Sequence, residues 1–349
     1  MATEPATETT LQGPAAWEDQ AERERVHGLG PWKLGLRRLR RNKVALLFGA
    51  LFVVLVLSCV AAPLWAEKVA KTTMNANHLS DTIKVDGKTT NVVGLDGVPI
   101  GPQWFKAKGK FFLGADRNGR DIMVRLLYGG RNSLMIGIIA AIITTILSLV
   151  LGLIAGYFRG PADTVIRALL DVMWSFPVII LGVALGVALA LGGLVIGPIH
   201  IAGDSLLIPI FIIGMVYVPY MARPVRGQVL SLREKEFVEA ARAQGAGPIR
   251  IMFTEVLPNL ASTMIVFFTL LIANAILLES ALSFLGAGVQ PPNPSWGTMI
   301  DEGVDRVATA PHLAIVPGIM LVLTVLSLNV FGDGVRDALD PRAKVRLER

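Results

Sequence analysis

The chain has 349 residues, of which 53% are hydrophobic and 17% charged, with a net charge of +6 and a mean hydropathy of +0.57. Soluble domains carry about 25% charged residues, so a wholly water-soluble fold is excluded. Cys59 is the single cysteine, which excludes an intrachain disulfide and a cysteine-built metal site. The basic surplus sits on loops beside apolar blocks, a pattern of membrane orientation rather than of nucleic-acid binding.

In chain order, residues 1–30 are rich in Glu, Thr, Ala and Gln without an apolar period and are expected to form a disordered tail. Six cations follow between Lys33 and Lys43, directly before the first apolar block, and place the N-terminus in the cytosol. Trp32, Leu36 and Leu39 could lay this stretch against lipid headgroups. Six blocks then contain no Asp, Glu, Lys or Arg: 44–66, 134–158, 172–203, 205–222, 256–278 and 311–332. A span needs roughly 20 apolar residues to cross about 30 Å of hydrocarbon, and backbone groups in lipid must be satisfied within the segment. The blocks therefore predict an all-α polytopic membrane protein of about six helices. A buried core helix is the alternative for any one block, but not for six together. Cys59 falls inside the first span, where it packs as a small apolar residue.

This gives a cytosolic tail and basic segment at 1–43, a first span at 44–66 and an extracytoplasmic insert at 67–132. A five-span core at 133–332 follows, with a cytosolic loop at 223–258, and then a cytosolic tail at 333–349. Both termini are cytosolic. The insert carries eleven Lys and Arg against the charge rule, which long loops escape. Its Asp86-Gly87 and Asp96-Gly97 turns predict short strands.

The cytosolic loop carries the function. Ser231-Leu-Arg-Glu234 has the form of a capping box and predicts a helix start near Ser231. Phe237, Ala240, Ala241 and Gln244 fall at i, i+3, i+4 and i+7, on one narrow face. Gly245 and Gly247 break the helix, Pro248 suits the first position of a second helix, and Ile249, Met252 and Phe253 follow before Pro258 leads into the next span. Periodicity alone leaves two readings, a helix–turn–helix offered to a cytosolic partner or an amphipathic loop lying on headgroups.

The run Glu239-Ala240-Ala241-x3-Gly245, with Leu257-Pro258 in register, resembles the signature loop of ATP-binding-cassette importer permeases. Further stretches are similar to dipeptide, oligopeptide and nickel permeases: Phe112–Asp121 with Gly130-Arg131-x-Ser133-Leu134, Leu278–Gly286 through Pro291–Gly297, and Phe331–Arg342. The resemblance spans roughly 30–342 and points to the C-type member of a permease pair. It departs at Glu255, where the broad pattern prefers Ile.

The resemblance implies the type I importer permease fold, with Phe237, Glu239, Ala240, Ala241, Gln244, Gly245, Ala246, Ile249 and Pro258 on the surface that docks an ATPase. The implied partners are a second homologous permease, two cytosolic ATPase subunits that use ATP and Mg, an extracytoplasmic solute-binding protein and membrane lipid. The implied cargo is peptide, with nickel or another small solute as the alternative.

No phosphate-cradling Gly-x4-Gly-Lys-Ser/Thr run occurs in the sequence, so this chain is read as non-catalytic and without a cofactor of its own. His27, His78, His200 and His312 have no ligand spacing, and no nucleophile–base pair suggests a membrane hydrolase. Ionisable residues in spans default to functional candidates. Glu279, with Ser280 and Asn274, could line the path or hold the Pro291–Pro294 loop as part of an outer gate. Asp171 is expected to pair with Arg167. An ion-driven secondary transporter would need midplane carboxylates or broken helices, and Asp171 and Glu279 lie near span ends.

Overall fold

The computed structural model describes residues 31–85 and 88–339. The tail at 1–30, the Asp86-Gly87 turn and the end of the C-terminal tail, including Pro341-Arg342, lie outside the described residues. A short basic helix α1 (Pro31–Arg41) leads into α2 (Lys43–Val60). Asn42 caps α2 by accepting from the Ala45 amide at 3.1 Å, as an N-cap side chain must where the first amides lack partners. The helix breaks at Ala61 and resumes as α3 (Ala62–Trp65) and a π turn over Ala66–Ala70.

The insert runs from there only to Asp121, not to 132. It holds a hairpin of β1 (Thr82–Val85) and β2 (Lys88–Asn91) over a small core of Val92, Phe111 and Ala115. Asp121 then caps α4 (Ile122–Phe158) through the Val124 amide at 3.1 Å. Eleven residues expected in the insert thus belong to a 37-residue helix, about 55 Å long and so longer than the roughly 30 Å of hydrocarbon.

The third span differs most from expectation. Helix α5 (Gly160–Trp174) and helix α6 (Val178–Gly192) meet at an 84° bend. Pro177 explains the break: it cannot donate, and it pushes Phe176 out of helical conformation. The apolar run 194–201 is a hairpin of β3 (Leu194–Ile196) and β4 (Ile199–Ile201), not a continuation of the helix. Then come α7 (Leu207–Val216) and α8 (Val218–Leu232), which form one interrupted span, and α9 (Glu236–Ala243) and α10 (Pro248–Ile251). A π turn over Met252–Val256 leads into α11 (Leu257–Phe284), followed by α12 (Trp296–Val304) and α13 (His312–Leu339). The first residues assigned to the C-terminal tail, 333–339, therefore continue the last helix.

Among the described residues, five helical stretches are long and apolar enough to cross a membrane, and the bent α5–α6 pair, either a broken span or a re-entrant loop, brings the number up to six when it is counted as one span. Helix α4 is the central post, packed along α8 and α11, while α13 packs against α2, α11 and α12. Small residues allow the close approach, as they must where lipid supplies no hydrophobic drive between helices. Thr144 and Ser148 on α4 donate to the carbonyls of Gly214 and Val218 at 2.8 and 3.0 Å, pinning the α7–α8 junction.

Candidate functional site

The elbow between α8 and α11 begins later than its sequence suggests. Ser231 lies in the last turn of α8, because packing of Val225 and Val229 on α4 carries that helix to Leu232. The expected capping box does not form, and Lys235 precedes α9. Residues 223–232 of the expected loop thus continue helix α8. Helix α9 carries Glu236 and Glu239 in its first turn and Arg242 in its last, each sign matched to the helix dipole.

Its end is a Schellman turn. The Ala246 amide donates to the Ala241 carbonyl at 3.0 Å and the Gly245 amide to Arg242 at 2.9 Å. Gly245 has φ +82° with open space where a Cβ would stand. The need for glycine is thus conformational rather than steric. Gly247 then turns the chain into α10, with Pro248 as its first residue.

Val238 and Ile251 are fully buried and fasten the elbow to the bundle, with Ala241, Ala246 and Met252 beside them. Phe237, Glu239, Ala240, Gln244 and Gly245 face outward, with Ile249, at 67% exposure, and Phe253. Pro258 is exposed at the start of α11. Ala241 and Ala246 are half-buried and act as supports, so the expected stripe straddles two faces. Val238 was missed. Its spacing of three from Ala241 was the available signal.

The stem of the elbow is bolted to the α4–α5 turn by charges. Arg226 on α8 grips Asp163 on α5 with two bonds of 2.5 and 2.7 Å, the bidentate geometry that suits guanidinium and carboxylate. Arg223 donates to Asp171 at 2.7 Å, and Arg159 pairs with Glu234. Arg233 donates to the Tyr157 carbonyl at 2.5 Å and lies over the Tyr157 ring. Asp171 therefore pairs across helices and not with Arg167, which instead approaches Asp163 at 3.5 Å. The bonds form where α5 folds back along α8, a contact that spacing along one helix does not reveal.

At the opposite end of α4 two distant sequence motifs interlock. Trp296 is fully buried; its indole N–H donates to the Leu126 carbonyl at 3.1 Å, and its amide to the Ser133 hydroxyl at 3.2 Å. Gly130 faces this indole so closely that a Cβ would stand 2.6 Å from the ring and 2.5 Å from Cys59 Sγ. Asn132 donates to the Pro294 carbonyl at 2.7 Å, and Ser295 with Thr298 forms a true capping box on α12.

Glu279 is completely enclosed here. Ser283 donates to its carboxyl at 2.7 Å and Ser280 approaches at 3.4 Å, while Ser133 and Ser295 bear on the same group. Ser283 Oγ also accepts from the Val289 amide at 3.0 Å. Of the two roles open to Glu279 in the sequence, this geometry corrects the path-lining one: the residue ties α4, α11 and the loop before α12. Asn274 is half-buried and spends its amide on the Leu270 carbonyl of its own helix at 3.0 Å. Beside this junction, Arg120 bonds Asp116 at 2.5 Å and Glu302 at 2.8 Å, and the buried Arg125 reaches the same Glu302 at 3.2 Å.

A bundle of apolar helices with a braced elbow exposed on one face defines a membrane protein with a surface free of its own packing. Residues 133–345 match the family model described as the binding-protein-dependent transport system inner membrane component, and the chain belongs to that family. Residues 30–80 match the model of the N-terminal TM domain of oligopeptide transport permease C. The glutathione transport system permease protein GsiD of Pectobacterium atrosepticum is 36% identical over 90% of this chain and 92% of its own length. The dipeptide transport system permease protein DppC of Alkalihalophilus pseudofirmus is 36% identical over 90% and 91%. In structure, the chain resembles a chain of the inward-facing MetNI methionine ABC transporter with a TM-score of 0.52, at 19% identity, covering 63% of this chain and 98% of that one. The fold is the type I importer permease fold, and the protein is a multi-pass inner-membrane permease.

Proposed function

We propose that the chain is the C-type half of a paired permease, carries small peptides delivered by an extracytoplasmic binding protein, and itself holds no nucleotide. Dipeptide and glutathione, the cargoes in its relatives' names, support the peptide class. Both termini face the cytosol, where the basic flank of α1 suits the charge rule. Two ATPase subunits use ATP and Mg, and one of them seats on the elbow. The observation that carries this reading is the split of α9–α10 into an inward face anchored by Val238 and Ile251 and an outward face of Phe237, Ala240 and Ile249.

In this mechanism ATP closes the ATPase pair, which pushes the elbow. The Arg226–Asp163 and Arg159–Glu234 bonds pass that displacement to α4 and α5, so the helices tilt together and the path opens outward. Hydrolysis returns them to the inward state. The rigid Gly245 turn keeps the push from being absorbed locally.

The test is Gly245→Asp with Phe237→Ala as a second variant, each assayed in the assembled transporter. Normal membrane levels with lost peptide uptake and an ATPase rate no longer responsive to the loaded binding protein are expected. Wild-type uptake in both variants would refute the docking surface.

A further inference from the structure

We infer that the insert's lip, residues 103–112, anchors in the outer-leaflet headgroups, its exposed aromatic pair lying level with the outer end of the first span and its lysines against anionic lipid. The lip is a closed turn: the Gln103 amide meets the Phe111 carbonyl at 3.2 Å and the Trp104 amide meets Phe112 at 3.0 Å. Phe112 is the hub. Its ring contacts Trp65, the last residue of α3, at 5.6 Å, Trp104 at 5.3 Å and Phe105 at 5.1 Å. Trp65 stands where the apolar block gives way to Glu67 and Lys68, the depth at which aromatic side chains settle in a bilayer.

Phe105 is nonetheless 77% exposed and Trp104 54%. In water that exposure would be unfavourable, and the backbone adds to it, since Trp104, Lys108 and Phe111 all hold positive φ near +50°. Strain of this kind persists where a segment is held for a purpose. Lys106, Lys108 and Lys110 are exposed on the same turn. Aromatics that enter the interface beside lysines that meet phosphates are the two signals an interfacial anchor combines. Continuity with the span end through Trp65 and Phe112 is what favours lipid over a protein as the occupant.

The inference rests on the outward orientation proposed above, and the experiment separates the two. Phe105→Cys and Thr90→Cys, the latter on exposed β2, are made in the full transporter, labelled with a polarity-sensitive fluorophore, and reconstituted in vesicles containing phosphatidylglycerol without the binding protein. Headgroup-proximal doxyl lipids should quench the label at 105 several-fold more than at 90, and iodide should do the reverse. In the Lys106/Lys108/Lys110→Gln background the doxyl quenching should fall to its level in zwitterionic vesicles. Impermeant maleimide should reach Thr90→Cys from outside. Iodide quenching at 105 equal to that at 90, or shielding that appears only once the binding protein is added, would overturn the anchor alone. Maleimide access to position 90 only from the cytosolic side would overturn the orientation and the anchor with it.

Discussion

The α9–α10 elbow and the α4–α12 junction are both made of sequence motifs, yet they are built in opposite ways. The junction buries a whole indole, seals a carboxylate among hydroxyls and interlocks an arginine–carboxylate cluster. The elbow keeps two buried anchors and turns Phe237, Ala240 and Ile249 to the outside. Its stem is held by ion pairs, several of them exposed. Exposed ion pairs contribute little to stability, whereas the same groups buried are costly to break. The junction is buried and interlocked, whereas the elbow keeps an open face and a polar, directional brace, as the docking and push proposed for it require.

The largest test of that contrast is Trp296→Ala. It empties a fully buried site and strips the Leu126 carbonyl of its indole donor, with an expected cost of about 3–5 kcal/mol. Loss of folded protein from the membrane, read by detergent thermal melting, is the predicted outcome. Arg125→Ala should be comparable, about 3–5 kcal/mol, because Glu302 and Asp116 would keep their charges and lose a buried partner. Arg125→Ala/Glu302→Ala should recover part of that loss, and a double-variant cycle measures how much.

At the elbow the effects on stability shrink while those on transport grow. Gly245→Ala meets no steric obstacle and should cost only about 1 kcal/mol for its positive φ, with uptake reduced less than in Gly245→Asp. Arg159→Ala, which removes an exposed pair, should shift melting by about 1 kcal/mol or less. It should weaken the dependence of ATPase activity on the binding protein. If Arg159→Ala melted as early as Arg125→Ala, the distinction between lock and brace would fail.

The readable parts of this chain were those set by local chemistry. Uncharged runs marked the spans, and Gly245 and Pro248 marked the turn and the second helix of the elbow. The Ser231 capping box failed because burial of Val225 and Val229 against α4 outweighed a local cap and extended α8. Asp171 found Arg223 rather than Arg167 because α5 lies against α8. Glu279 was recognisable as unusual, but its serine enclosure joins residues from α4, α11 and the loop before α12, which no linear spacing announces. The missed brace of Arg159, Asp163, Arg226 and Glu234 has the same origin.

By itself the sequence determined that the chain lives in lipid, that its spans are helices, and where a glycine turn punctuates the loop between α8 and α11. Those follow from hydrocarbon thickness, backbone hydrogen bonding and the conformational freedom of single residues. Only the tertiary structure decided which charges pair, that the third span bends, that Glu279 is sealed, and that Trp104 and Phe105 stand beside the end of the first span. Such outcomes depend on which distant surfaces come into contact, and contact between distant surfaces is settled by packing of the whole bundle.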